Sequence, residues 1–205
     1  MNFIICGIDE AGRGPLAGPV CAASVILHGN CLQPEFPSGL LNDSKKLSCA
    51  DRKKARLSIL ENAFAWGLGW ATHEEIDKIN ILQASLLAMK RAFEDMLQNA
   101  AQNNKTLLLD EIKAIIDGTF TPDIPVKSEA MVKADTQIAE VMAASIIAKT
   151  ERDIYMEKMA SFYPSYGYEK HKGYPTKAHR EAIIKYGSSP IQRMSFKVKG
   201  DNEKL

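Results

Sequence analysis

The stretch GIDEAGRGPLAGP, residues 7–19, lies at the meeting point of two apolar segments of the chain. The first segment, residues 3–9, is a short apolar run that leads into the acids Asp9 and Glu10 and then a glycine-rich turn, as buried strands often do. The second, residues 19–27 (PVCAASVIL), begins with a Gly-Pro break. We therefore expect the two runs to pair as a β-hairpin across the glycine-rich turn.

Strands and helices alternate along the rest of the chain. Ser48 with Asp51, and Asn80 with Gln83, have the spacing that caps a helix. Apolar runs predict further strands at residues 67–72, 107–117 and 131–135, and helical periodicity predicts helices from about 49, from 80, over 138–159 and over 176–186. Strands separated by helices of ten or more residues predict an α/β fold with a mixed sheet.

Acids follow three of the predicted strands. Asp9 and Glu10 follow the first, Asp117 ends another, and Asp135 stands between a short strand and the start of a helix. Because ligands of open α/β sheets bind just beyond strand ends, these carboxylates could converge although they are far apart in the chain.

Four carboxylates in one place would repel one another unless cations bind among them. Mg²⁺ or Mn²⁺ suits such a site, and two ions about 3.5–4 Å apart are the arrangement used by many nucleases and polymerases. Each aspartate taken alone could equally cap a helix or a turn. An adjacent Asp-Glu followed by Gly-Arg-Gly is harder to explain as capping.

Gly12, Gly14 and Gly18 leave the turn after the first strand without bulky side chains. Backbone amides of residues 11–14 could therefore approach a sugar or a phosphate closely. A bare G-x-G pattern is weak evidence, and its value here is its position beside the acidic end of a strand.

Five blocks of the sequence resemble, in order, the signature motifs of the ribonuclease HII family, and the resemblance spans about residues 4–196. They are GIDEAGRGPLAGP (7–19), DSKKL (43–47), IDG (116–118), AASIIAK (143–149) with Arg152-Asp153, and HKGYPTK (171–177). The resemblance implies a ribonuclease H-like domain over residues 1–160, with a mixed sheet flanked by helices, and a helical, basic extension of it over residues 161–205.

The resemblance also implies the activity. An enzyme of this family is expected to hydrolyse the RNA strand of RNA–DNA hybrids, and to cut 5′ of ribonucleotides embedded in duplex DNA, leaving 5′-phosphomonoesters. Its catalytic and metal-binding acids would be Asp9, Glu10, Asp117 and Asp135, holding two Mg²⁺ or Mn²⁺ ions.

Substrate contacts carry over residue by residue. The backbone of Gly12, Arg13 and Gly14 matches the turn that contacts the ribose 2′-hydroxyl, and Tyr174 matches the tyrosine that senses it. On sequence alone Tyr174 could equally be a packing aromatic. Phosphates could be held by hydroxyl and amine donors, although a solvated basic face would look the same. These donors are Ser44, Lys45, Lys46 and Lys149.

The chain departs from the family pattern at two places. Ala134 stands where a glycine usually precedes the last acid, which makes Asp135 the least secure of the four. The segment QRMSF (192–196) lacks a usual histidine, so Arg193 is assigned no catalytic role, and residues 195–205 contain no convincing clamp-binding peptide. His171 and His179 are expected to be structural or to face phosphate.

Composition bounds these expectations. The 205-residue chain has a net charge of +1, but residues 161–205 carry nine Lys or Arg against four Asp or Glu. That segment could face a polyanion or simply be solvated. The four cysteines have no CxxC spacing, which favours reduced thiols and a cytoplasmic location. Charges within the first thirty residues argue against a signal peptide, and we expect a monomer without a membrane segment.

Three other functions fit part of the sequence. A module that binds nucleic acid without cutting it would keep the fold but fail to bind metal. A DNA exonuclease, integrase or resolvase would use similar acids but have no use for a 2′-hydroxyl sensor. A phosphatase with an aspartate nucleophile is a weaker alternative, because no DxD follows the first strand.

Overall fold

The computed structural model describes residues 3–28 and 47–197. Its centre is a five-stranded mixed sheet in the order β3-β2-β1-β4-β5. The strands are β1 (Ile4–Ala11), β2 (Val20–Leu27), β3 (Ala63–Ala71), β4 (Ile112–Asp117) and β5 (Lys127–Met131). β2 runs antiparallel to both β1 and β3, whereas β4 runs parallel to β1 and β5. The predicted hairpin and the predicted mixed sheet are both confirmed.

Helices cover both faces of this sheet. They are α1 (Cys49–Asn62), α2 (His73–Gln102), α3 (Ala139–Phe162), α4 (Tyr168–His171) and α5 (Lys177–Tyr186). α2 packs its Phe93 and Met96 in one cluster with Ile8 of β1, while α1 and α3 pack against Val25 of β2 on the other face. All eight residues of β2 are buried, as expected for a strand covered on both faces.

The start of α3 lies directly against the central strand. A Cβ atom on Gly7 of β1 would lie 2.1 Å from the backbone carbon of Glu140, a distance that real side chains do not reach. Glycine at this position therefore allows the close approach of strand and helix. The approach matters for the site, because it brings the following turns of α3 alongside the acidic end of β1.

Two predicted boundaries around α2 were wrong. The strand β3 begins at Ala63 rather than at residue 67, and the helix begins at His73 because Thr72 and Glu75 form a capping box. The predicted cap at Asn80 is real but internal. Asn80 has a left-handed φ of 66°, and its Oδ1 accepts hydrogen bonds from the amides of Leu82 and Gln83 at 3.0 and 3.1 Å, so it restarts the helix after a kink.

The other two predicted strands were displaced. The apolar run at 107–117 contains a 3₁₀ turn, Leu109–Glu111, and only then the strand β4. The predicted strand at 131–135 is instead β5 followed by the 3₁₀ turn Ala134–Thr136, so Asp135 lies in a turn and not at a strand end. The edge strand β5 reads KSEAM, and its polar, partly exposed residues give no apolar signal.

The C-terminal segment packs back onto the hairpin. The amide of Leu16 donates to the carbonyl of Gly173 and that of Gly18 to the carbonyl of Ile191, each at 2.8 Å. Among the described cysteines, Cys6 and Cys21 are buried thiols and Cys49 is an exposed one. No helix within the described ranges is long and apolar enough to cross a membrane.

Candidate metal centre

Strand register brings two of the predicted acids side by side. Ile8 of β1 pairs with Ile116 of the parallel strand β4, so Asp9 and Asp117 follow as neighbours at the same edge of the sheet. Asp135 reaches them from the turn after β5. One carboxylate oxygen from each of these three aspartates lies within 4.8 Å of the other two, a spacing that could hold a metal ion.

Two main-chain and side-chain contacts fix this cluster. Asp117 Oδ1 accepts a hydrogen bond of 2.9 Å from the amide of Ala134, which ties the β4 end to the turn bearing Asp135. Asp9 Oδ1 accepts one of 2.7 Å from the amide of Glu10, and the hydroxyl of Ser145 on α3 also donates to Asp9. The three carboxylates are therefore held by the backbone and by α3 without a cation among them.

Glu10 takes a different position. Successive residues of a strand face opposite sides of the sheet, so Asp9 faces α3 and Glu10 faces away from it. Glu10 Oε1 lies 3.3 Å from the guanidinium of Arg13, whereas Oε2 is buried and has no hydrogen-bond partner within the described part of the chain. The expectation that no basic residue lies near the acids was thus wrong for Glu10.

The electrostatics of the site fit a cation. Burial raises the pKa of Asp9 well above its ordinary value, and the neighbouring charges of Glu10 and Asp117 add to the effect. Burial also raises the pKa of Glu10, although Arg13 opposes the rise. A buried carboxylate with an unpaired oxygen is costly, and a bound divalent cation would supply the missing charge.

A cleft of about 260 Å³ opens beside the acids. Its walls include the turn at Gly12, Arg13 and Gly14, together with Lys149 and Tyr174. Lys149 Nζ lies 2.7 Å from Asp153 Oδ1 and 5.8 Å from the centre of the Tyr174 ring. Tyr174 is 40% exposed. The cleft therefore combines acids, open backbone, a cation and an accessible phenol.

Comparison with known proteins agrees with this arrangement. A family model described as ribonuclease HII matches residues 6–199. The chain belongs to the ribonuclease HII family. It is 52% identical to the ribonuclease HII of Treponema denticola over 96% of this chain and 99% of that protein. It is 49% identical to the ribonuclease HII of Dechloromonas aromatica over 94% of this chain and 90% of that protein.

A solved structure supports the fold. The crystal structure of the ribonuclease H2 from Pyrococcus horikoshii superposes with a TM-score of 0.69 at 25% identity, covering 95% of this chain and 94% of that one. The chain is accordingly a ribonuclease H enzyme with a ribonuclease H-like fold and a helical C-terminal region. Enzymes of the ribonuclease HII family act as endonucleases on the RNA of RNA–DNA hybrids.

The departures from the family pattern can now be located. Ala134 contributes its amide to Asp117, a bond that any residue except proline can donate, and its methyl group packs with Ile115 and Val141. Alanine therefore fits at this position. Gln192 is buried and bridges to Ala17, next to the turn that follows β1.

Sequence reasoning missed several residues around the site and could not place others. Ser145 lies within the AASIIAK block, but nothing in its sequence context indicates a contact with Asp9. Arg152 and Arg193 are fully buried behind the glycine-rich turn. The predicted phosphate contacts Ser44, Lys45 and Lys46 lie outside the described residues.

Proposed function

We propose that this enzyme hydrolyses the RNA strand of RNA–DNA hybrids and also cuts 5′ of single ribonucleotides embedded in duplex DNA, using two divalent ions. The observation that supports the proposal best is the cluster of Asp9, Asp117 and Asp135, whose oxygens lie within 4.8 Å of one another beside an open glycine-rich turn. Such an oxygen-only set is the donor chemistry that Mg²⁺ and Mn²⁺ prefer.

In this proposal the metal ligands are the three aspartates and Glu10. Bound divalent ions at such a site activate a water and stabilise the leaving oxygen of a phosphodiester. The protein's own part is to hold the carboxylates ready. Ser145 and the amide of Glu10 orient Asp9, and the amide of Ala134 orients Asp117. Glu10 would exchange Arg13 for a cation and satisfy its unpaired Oε2.

Recognition of RNA is assigned to the other wall of the cleft. Metal chemistry alone cannot distinguish RNA from DNA, because both present the same phosphodiester. The backbone of Gly12–Gly14 and the Tyr174 phenol are proposed to read the 2′-hydroxyl. A Cβ on Gly14 would lie 3.6 Å from the Tyr174 ring, so turn and phenol face one substrate position. The Tyr174 amide donates to His171 O at 2.8 Å, which fixes the phenol's loop.

Phosphate binding and organisation remain proposals of the same kind. Lys149 is held at the cleft by Asp153, which supports a phosphate contact there. We propose that residues 161–205 extend the catalytic domain of residues 1–160, since the segment near Gly173 bonds to the hairpin. Ser44, Lys45 and Lys46 stay predicted phosphate contacts. A cytoplasmic location and a monomeric state also stay predictions from the sequence.

One assay tests the proposal. The protein is incubated with labelled duplexes that carry either one ribonucleotide, a full RNA strand, or DNA only, in the presence of Mg²⁺, Mn²⁺ or a chelator, and the cut is mapped. We expect metal-dependent cleavage 5′ of the ribonucleotide and within the RNA strand, and none in DNA. Cleavage of the DNA-only duplex would favour the DNA nuclease, and binding without cleavage would favour the binding module.

A further inference from the structure

Two buried arginines lie directly behind the glycine-rich turn. Arg152 and Arg193 are the two largest fully buried side chains of the described residues, with exposures of 1% and 0%. Neither forms an ion pair with a carboxylate within the described ranges. A buried guanidinium without a counter-ion is costly, so its hydrogen bonds must hold it in place.

Those hydrogen bonds go almost entirely to the turn. Arg193 donates from its guanidinium to five carbonyls at 2.6–3.1 Å, those of Gly12, Arg13, Pro15, Gly18 and Pro19. Arg152 donates to Ala17 O at 3.1 Å and to Pro19 O at 2.9 Å, and also to Lys172 O at 3.0 Å in the loop before Tyr174. The amide of Arg193 donates to Leu16 O at 2.8 Å.

The turn is therefore shaped from the inside. Its carbonyls point at two cations, while its other side lines the cleft beside Asp9 and Glu10. Gly12 has a left-handed φ of 103°, and a Cβ there would lie 2.0 Å from Arg152 Nε. Backbone conformation and buried cation thus fit each other, and neither can change alone. Burial, together with the charge of Arg152, lowers the pKa of Arg193 to about 9, a cost that the turn's carbonyls offset.

We propose that Arg193, with Arg152 beside it, is a positioning residue that fixes the backbone of Gly12–Gly14 in the geometry that distinguishes a ribonucleotide from a deoxyribonucleotide. Arg193 acts through the turn and touches no substrate. The inference rests on the proposed reading of the 2′-hydroxyl by this turn. It assigns discrimination, rather than hydrolysis, to a residue outside the cleft.

The test measures discrimination in binding. Dissociation constants are determined in Ca²⁺, without turnover, for a duplex with one ribonucleotide and for the same duplex in DNA only. For Arg193→Lys and Arg193→Gln we expect the preference for the ribonucleotide to fall about tenfold or more, with affinity for the DNA duplex within about twofold of the parent, since at least one turn contact is lost. An unchanged preference in a variant that still melts cooperatively would overturn the proposal.

Arg91 supplies a matched control. It is also a hydrogen-bonded arginine, held by Glu75 and by the carbonyl of Trp70 on the opposite part of the molecule. Arg91→Gln should lower the melting temperature while leaving the preference intact. If Arg91→Gln reduces the preference as much as Arg193→Gln does, the effect belongs to general stability and the proposal is wrong.

Chemical rescue covers the case of a poorly folded variant. Arg193→Ala is titrated with guanidinium at tens of millimolar, against NaCl of equal ionic strength, and both melting temperature and preference are followed. Recovery of the preference supports the proposal, whereas recovery of melting temperature without preference overturns it. A parent enzyme that shows no preference would instead refute the proposed 2′-hydroxyl reading, so the two failures are distinguishable.

Discussion

Neutralising Asp9 should make the metal-free protein more stable while it abolishes activity. The oxygens of Asp9, Asp117 and Asp135 lie within 4.8 Å of one another, and at an effective dielectric constant of about 20 two unit charges at that distance repel by roughly 3.5 kcal/mol. Protonation relieves part of this repulsion, which is why burial and the neighbouring acids raise the pKa of Asp9. Asp117 is partly exposed to solvent, which weakens the effect further.

We therefore expect Asp9→Asn to raise the free energy of unfolding without metal by about 1–3 kcal/mol, or roughly 2–4 °C in melting temperature for each kcal/mol. The order should reverse in metal. Mg²⁺ at about a hundred times its dissociation constant would stabilise the parent by about 2.7 kcal/mol, and the variant by much less. Hydrolysis should fall on the order of a thousandfold or more, with duplex binding largely kept.

The assay is thermal melting of both proteins in chelator and in a Mg²⁺ series, paired with cleavage rates. Asp153→Asn is the control, because Asp153 is a similarly buried carboxylate that Lys149 already pairs at 2.7 Å. Neutralising it should not stabilise the protein. The reasoning is refuted if Asp9→Asn melts at or below the parent in chelator, or if Mg²⁺ raises both melting temperatures equally.

Three further perturbations test other parts of the site. Tyr174→Phe should lose about 1–3 kcal/mol in kcat/KM on a single-ribonucleotide duplex at unchanged melting temperature; normal cleavage would make Tyr174 a packing residue. Burial lowers the pKa of His171 and His179 below 6.5, so the unfolded chain binds more protons as pH falls and stability should drop below that pH; urea midpoints that fall equally in His179→Asn would contradict this. Neutralising exposed lysines of the basic segment should weaken all duplexes and flatten the salt dependence by about 0.9 per contact, whereas Lys172, already paired with Glu157 at 3.2 Å, should contribute less; an unchanged salt slope would mark these lysines as merely solvated. The exposed pair is Lys170 and Lys177.

The sequence predicted best where one physical signal dominated. β1 and β2 are apolar because both faces of the sheet are covered, and the acids directly after β1 were therefore placed correctly. The edge strand β5 was missed because solvent covers part of it, so polar residues are tolerated. The first turns of α2 were missed because the Asn80 cap is as convincing in sequence as the true one at Thr72.

The arrangement of the acids shows a second limit. A strand alternates its faces, so adjacent Asp9 and Glu10 had to diverge, and grouping all four carboxylates by sequence alone ignored this. Asp135 joined the cluster for a reason that the sequence could not show. The turn that carries it is fixed by the bond from the Ala134 amide to Asp117, a main-chain contact that leaves no trace in residue type.

The buried arginines extend the same argument. Sequence analysis pairs a cation with a nearby acid or assigns it to the surface, because those are the partners that residue types reveal. Arg193 is instead surrounded by carbonyls, and its five acceptors belong to three glycine or proline types and one arginine whose side chain points elsewhere. A backbone acceptor has no identity in the sequence, so a residue 174 positions beyond Pro19 gives no sign of contact with it. The turn that is proposed to read a hydroxyl through its backbone is thus held through its backbone as well, and only the folded structure can reveal either contact.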